Sequence, residues 1–125
     1  VSPARPLVSV VDDDESVRES LPDLLRELGF SAEAFASAEV FLESEPIGRT
    51  ECLIVDVNMP GMSGPELQRE LTRRGAGIPI VFITAHADDT VRPSLLQQGA
   101  TECLFKPFSD TALLVALQAA LGTSA

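Results

Sequence analysis

Basic residues are scarce in this sequence: nine Lys and Arg stand against nineteen Asp and Glu in 125 residues, for a formal net charge of −10. A segment so poor in cations has no basic patch for a phosphate backbone, which excludes direct nucleic-acid binding by this stretch. Cysteine is equally sparse. Cys52 and Cys103 match neither a zinc spacing nor a CxxC pair and lie inside apolar runs, so buried thiols in a reducing compartment are expected. No apolar run approaches the ~20 residues of a membrane span. Leu7–Val11 is too short for the apolar part of a signal peptide and ends in three aspartates. These absences lead us to expect a soluble cytoplasmic chain with no membrane partner. Histidine occurs once, as His86. Internal repeats and low-complexity stretches are also missing.

What is present is ordinary globular material, 45% hydrophobic and 22% charged. The length fits a single domain over residues 1–125, with a core from about 7 to 121 and a small polar tail at 122–125. Four apolar runs, Leu7–Val11, Cys52–Val55, Ile78–Ile83 and Cys103–Phe105, are β-branched or aromatic without clean alternation, as strands buried on both faces are. Ala32–Phe35 is a weaker strand. Between them apolar residues recur at helical spacing. Val17, Leu21, Leu24, Leu25 and Leu28 mark a helix capped by Asp14 or Glu15 and ended by Gly29, with a kink expected at Pro22. Ala38–Leu42 is a short helix. Gly64-Pro65 opens a third around Leu67 and Leu71; Val91, Leu95 and Leu96 mark a fourth ended by Gly99, with Pro93 interrupting its start; and Leu113 to Leu121 mark a fifth begun at Ser109 or Asp110. Five β-α units in alternation imply a parallel sheet with helices on both faces, joined by right-handed crossovers.

In such sheets function gathers at the carboxyl ends of the strands. Asp12, Asp13 and Asp14 follow the first run, Asp56 the third, Thr84 and His86 the fourth, and Lys106 the fifth. Carboxylates held close repel one another unless a cation intervenes. Mg²⁺ suits hard oxygen ligands and keeps waters that a phosphate can replace, and no His/Cys cluster favours zinc. A carboxylate beside Mg²⁺ can attack phosphorus, while a hydroxyl and an ammonium hold the transferred oxygens. The set suggests phosphoryl transfer onto an aspartate.

Four motifs now resemble a known family. Val-Val-Asp-Asp at 10–13, Asp-Val-Asn-Met-Pro-Gly-Met-Ser-Gly at 56–64, Ile-Thr-Ala at 83–85 and Lys-Pro-Phe at 106–108 look like the receiver domain of two-component response regulators. Ser16 to Leu21, Gly29-Phe30 and Pro79 to His86 resemble its FixJ-type subgroup most. The resemblance covers about Leu7 to Leu121. It implies a flavodoxin-like, doubly wound five-stranded parallel sheet of order 2-1-3-4-5. It also implies that Asp56 takes a phosphoryl group from a sensor histidine kinase or phosphotransfer protein. Asp13 would bind Mg²⁺ directly and Asp12 through water, with Asp56 and the backbone carbonyl of Asn58 completing the protein ligands; Mn²⁺ can take the same set. Thr84 and Lys106 would hold the phosphoryl oxygens, Lys106 would otherwise pair with Asp56, and Lys106-Pro107 would be cis. His86 would tune access of water.

Family members usually carry an aromatic residue three positions before the lysine, where this chain has Cys103, so the coupling of threonine to that aromatic is not carried over. The resemblance further implies a phosphorylation-dependent homodimer through the fourth helix, fifth strand and fifth helix. It points to the N-terminal part of a transcription regulator; the alternative is a stand-alone receiver acting as a phosphate shuttle or protein-binding switch. Autophosphorylation and autodephosphorylation would be its only chemistry, without turnover of a metabolite. A haloacid-dehalogenase-type phosphohydrolase would need aspartate at position 58, where Asn58 stands, and a pseudo-receiver adaptor would be expected to have lost a site residue.

Overall fold

The computed structural model describes residues 5–85 and 91–122. Five strands, β1 (Leu7–Val11), β2 (Ser31–Phe35), β3 (Cys52–Asp56), β4 (Ile80–Thr84) and β5 (Glu102–Phe105), alternate with helices α1 (Glu15–Glu27), α2 (Ala38–Leu42), α3 (Gly64–Arg73), α4 (Val91–Gln97) and α5 (Asp110–Leu121). A short 3-10 turn, Glu45–Gly48, follows α2. The strands are parallel in the order β2-β1-β3-β4-β5, as expected. Every residue of β1, β3 and β4 is buried, while the edge strands β2 and β5 are only partly so. That explains why the central runs read as continuously apolar and β2 as weak.

The period of two emerges once the faces are separated. Val8, Val10, Ile54, Val81 and Ile83 pack with Leu21 and Leu25 of α1 and Leu113 and Leu117 of α5. Val11, Leu53, Val55, Phe82 and Cys103 pack with Phe41 of α2, Leu67 and Leu71 of α3 and Leu95 of α4. Both cysteines are free and buried. Strand β4 begins later than its apolar run: Pro79 offers no N–H to a ladder, although its carbonyl still accepts from Leu53 at 2.9 Å.

Asp14, not Glu15, caps α1, accepting from the Ser16 N–H at 2.8 Å. The helix runs on through Pro22, which is buried beside Leu21 and Leu25. Ser63 and Glu66 form a reciprocal capping box at α3, and Ser109 caps α5. The fourth helix is described from Val91, its first expected apolar position, and runs through Pro93; the sequence reading of His86 lies outside the described residues.

Candidate phosphoacceptor site

The carboxyl ends of β1, β3, β4 and β5 bring the predicted polar residues to one edge of the sheet. Asp12 follows β1 and is completely buried; Asp56 ends β3 with 9% of its surface exposed; Thr84 ends β4 and is also buried; Lys106 follows β5. One carboxylate oxygen from each of Asp12, Asp13 and Asp56 lies within 4.8 Å of the others. Asp13 is exposed, so this oxygen cluster reaches solvent on one side.

Asp12 is fixed on every polar atom. Its N–H donates to the Phe35 carbonyl at 3.1 Å, and its carbonyl accepts from the Arg18 guanidinium at 3.0 Å. Its Oδ1 accepts from the Asp14 N–H at 2.9 Å, and its Oδ2 lies 3.1 Å from Lys106 Nζ. Lys106 is 3.8 Å from Asp56 Oδ2, so in this state the lysine is nearer Asp12 than the Asp56 partner the resemblance implies. Asp12 lies wholly in the low-dielectric interior and has the greater need of a counter-charge. Lys106 is the chain's single lysine. Its N–H donates to the Thr84 carbonyl at 2.8 Å, which ties the Lys106 backbone to the end of β4. Lys106-Pro107 is cis.

Asp56 carries a strongly perturbed carboxyl. Burial pushes its pKa up from 3.8 to about 6; the Asn58 N–H, donating to Oδ1 at 3.1 Å, opposes the rise, Asp12 adds to it and Lys106 opposes it. Two buried carboxylates and a third beside them share one ammonium, which leaves the cluster short of positive charge. Hard oxygen donors with one side open to water fit a divalent cation of the Mg²⁺ kind.

The loop after Asp56 is held from two sides. Gly61 has φ +74°, and Glu39 of α2 accepts from the Met62 N–H at 3.2 Å. Met59 and Met62 pack on the apolar cluster beneath the loop. At Gly64 a Cβ would lie 2.6 Å from the Asp56 carbonyl oxygen and 2.9 Å from the Phe82 ring, so α3 approaches the end of β3 as only glycine permits. Sequence reading missed Arg18, Glu39 and the reason for Gly64. Ser63 to Glu66 does carry the S-x-x-E capping pattern, which could have placed the start of α3. The residue beside Thr84 in the ladder is Phe105, whereas Cys103 lies beside Phe82 in the apolar cluster.

A parallel sheet of this order, with an acidic pocket at its carboxyl edge and one lysine reaching into it, is the architecture of a receiver domain. The family model for the response regulator receiver domain matches residues 8–118, and the chain belongs to that family of two-component signalling proteins. It is similar to the response regulator protein TodT of Pseudomonas putida strain F1, 43% identical over 115 residues, covering 92% of this chain and 51% of TodT. It is equally similar, at 43% over 119 residues, to the transcriptional regulatory protein FixJ of Azorhizobium caulinodans, covering 94% of this chain and 56% of FixJ. The chain thus spans about half the length of these relatives. Among solved structures, StyR is 51% identical with a TM-score of 0.86, covering 95% of this chain and 60% of StyR. FixJ-N is 38% identical with a TM-score of 0.86, covering 96% of both chains.

Proposed function

We propose that Asp56 accepts a phosphoryl group from a phosphohistidine on a sensor kinase or phosphotransfer protein. The observation that carries this reading is the convergence of Asp12, Asp13, Asp56 and Lys106 at the edge of the sheet. Asp12, Asp13, Asp56 and the Asn58 carbonyl would hold Mg²⁺. Bound there, the ion would neutralise the carboxylates and the charge spread over the transferring oxygens. An Asp56 carboxylate oxygen attacks phosphorus, a P–O bond forms, the P–N bond of a phosphohistidine protonated on its other ring nitrogen breaks, and the imidazole leaves neutral, with the electron pair of that bond and that proton. The Asn58 N–H holds the other carboxylate oxygen of Asp56. Lys106 moves from Asp12 towards the transferred phosphoryl oxygens, and Thr84 offers its hydroxyl to one of them. Hydrolysis of the acyl phosphate returns the carboxylate, so the chain's chemistry is confined to its own modification.

An apolar groove of about 430 Å³, lined by Val17, Leu21, Leu24, Pro107 and Phe108 with Lys106 among its walls, adjoins the site. It supports docking of an apolar helical surface of the phosphodonor there. The added phosphoryl charge of about −1.5 to −2 would then bias the face formed by α4, β5 and α5. We take the chain as one receiver unit, cytoplasmic, with a core of about 7–121. We read it as the N-terminal part of a longer transcription regulator that pairs through that face when phosphorylated. The share of its relatives that the chain spans supports this reading. The test is Mg²⁺ with beryllofluoride followed by amide NMR. Shifts at Asp56, Asn58 and Thr84 are expected, and their absence would refute the reading. Steady turnover of a small phosphomonoester would favour a hydrolase instead.

A further inference from the structure

We propose that Arg18 is a positioning residue for the divalent-cation site, acting through the main-chain carbonyl of Asp12. The inference rests on the functional reading above. Arg18 lies in the second turn of α1, with Asp14 and Glu15 four and three residues before it. Those are the spacings at which helix ion pairs form. Among the described residues no ion pair includes Arg18, although Arg26, Arg49, Arg73, Arg74 and Arg92 all make one. Arg18 is half-buried, and its guanidinium instead donates to the Asp12 carbonyl at 3.0 Å.

That carbonyl is the hinge between buried Asp12 and exposed Asp13, the two carboxylates that must face Asp56 together. The bond fixes the peptide joining them. Asp14 is already committed twice in the same turn, its N–H to Asp12 Oδ1 and its side chain to the Ser16 N–H. Arg18 therefore adds the contact that holds the carbonyl between Asp12 and Asp13. Partners that orient metal ligands in this way commonly change affinity by about 10- to 100-fold when removed.

Two roles for Arg18 make opposite predictions. If it acted only as a nearby positive charge, its removal would strengthen binding of a dication, because like charges repel. As a positioning residue, its removal weakens binding. The test is calorimetric titration of the folded chain with MgCl₂, comparing wild type, Arg18→Ala and Arg18→Lys. Weakening of about tenfold or more is expected in Arg18→Ala, with much of it restored in Arg18→Lys, which keeps a donor of similar reach. Metal-free amide spectra should show displaced Asp13 and Asp14 signals in Arg18→Ala, with α5 unchanged. Equal or tighter Mg²⁺ binding by Arg18→Ala overturns the proposal; should Arg18→Ala fail to fold, Arg18→Met, which keeps the apolar stem and removes the donor, decides in the same way, weakening of about tenfold supporting it and equal or tighter binding overturning it. A wild-type chain that binds no Mg²⁺ overturns the metal-site reading and this inference with it, whereas failure confined to the variants overturns the inference alone.

Discussion

Asp56→Asn should stabilise the metal-free protein at neutral pH. The native chain holds the Asp56 proton up to about pH 6, whereas the unfolded chain releases it near 3.8. Between those values the native state binds more protons, so this carboxyl makes stability fall as pH rises, and the loss is complete above the window. The gap from 3.8 to about 6 corresponds to at most about 3 kcal/mol. Asparagine removes the charge, keeps an oxygen to accept from the Asn58 N–H and leaves Lys106 its nearer partner, Asp12. For a chain of 125 residues, 1–3 kcal/mol is about 4–11 °C in Tm. Thermal or urea unfolding with EDTA at pH 4 and pH 7.5 measures it. The variant should match wild type at pH 4 and exceed it at pH 7.5. Glu70, drawn down to about 2 by Arg73 and Arg74, acts in the opposite pH sense but is common to both proteins and cancels in the difference. Saturating Mg²⁺ should then close the gap, because wild type keeps a ligand that the variant lacks. Equal stability at pH 7.5, or a gain independent of pH, would refute the account of a charge-strained pocket.

Removal of the lysine acts in the other direction: Lys106→Ala leaves buried Asp12 without its cation and should cost about 1–3 kcal/mol in urea unfolding, with part recovered on adding Mg²⁺. The same variant should raise the Asp56 pKa further, seen as a later carboxyl titration by NMR, since an opposing positive charge is gone. Gly64→Ala separates two effects of opposite sign. Helix propensity favours alanine by up to about 1 kcal/mol, but the close approach to the Asp56 carbonyl should cost about 1–3 kcal/mol, and a lowered Tm decides for the contact. The thiols of Cys52, pushed up to about 12 by burial, and Cys103, raised by burial and then by Glu102, should resist an aromatic disulfide reagent at pH 8 until the chain is unfolded. Rapid labelling of the folded protein would contradict their placement.

Much of this protein could be read along the chain because its signals are local. Apolar runs such as Leu53–Val55 follow from burial on both faces of a parallel sheet, and caps such as Asp14 and Ser109 satisfy helix N–H groups a few residues away. The alternation of strand and helix then leaves few topologies, and Asp12, Asp13, Asp56, Thr84 and Lys106 each fall directly after or at the end of a strand. Other features depend on partners distant in sequence. That Lys106 leans on Asp12 before Asp56, that Arg18 grips the Asp12 carbonyl, and that Gly64 must lack a Cβ against β3 are matters of packing within a few ångströms. Likewise, period-two alternation placed Cys103 and Phe105 on one side of β5, but only the pairing of β4 with β5 set Phe105, and not Cys103, beside Thr84. Order along the chain determined which groups reach the edge of the sheet. Register, burial and close approach, which exist only once the strands have paired, decided which of those groups touch and how far the Asp56 carboxyl is driven from its ordinary pKa.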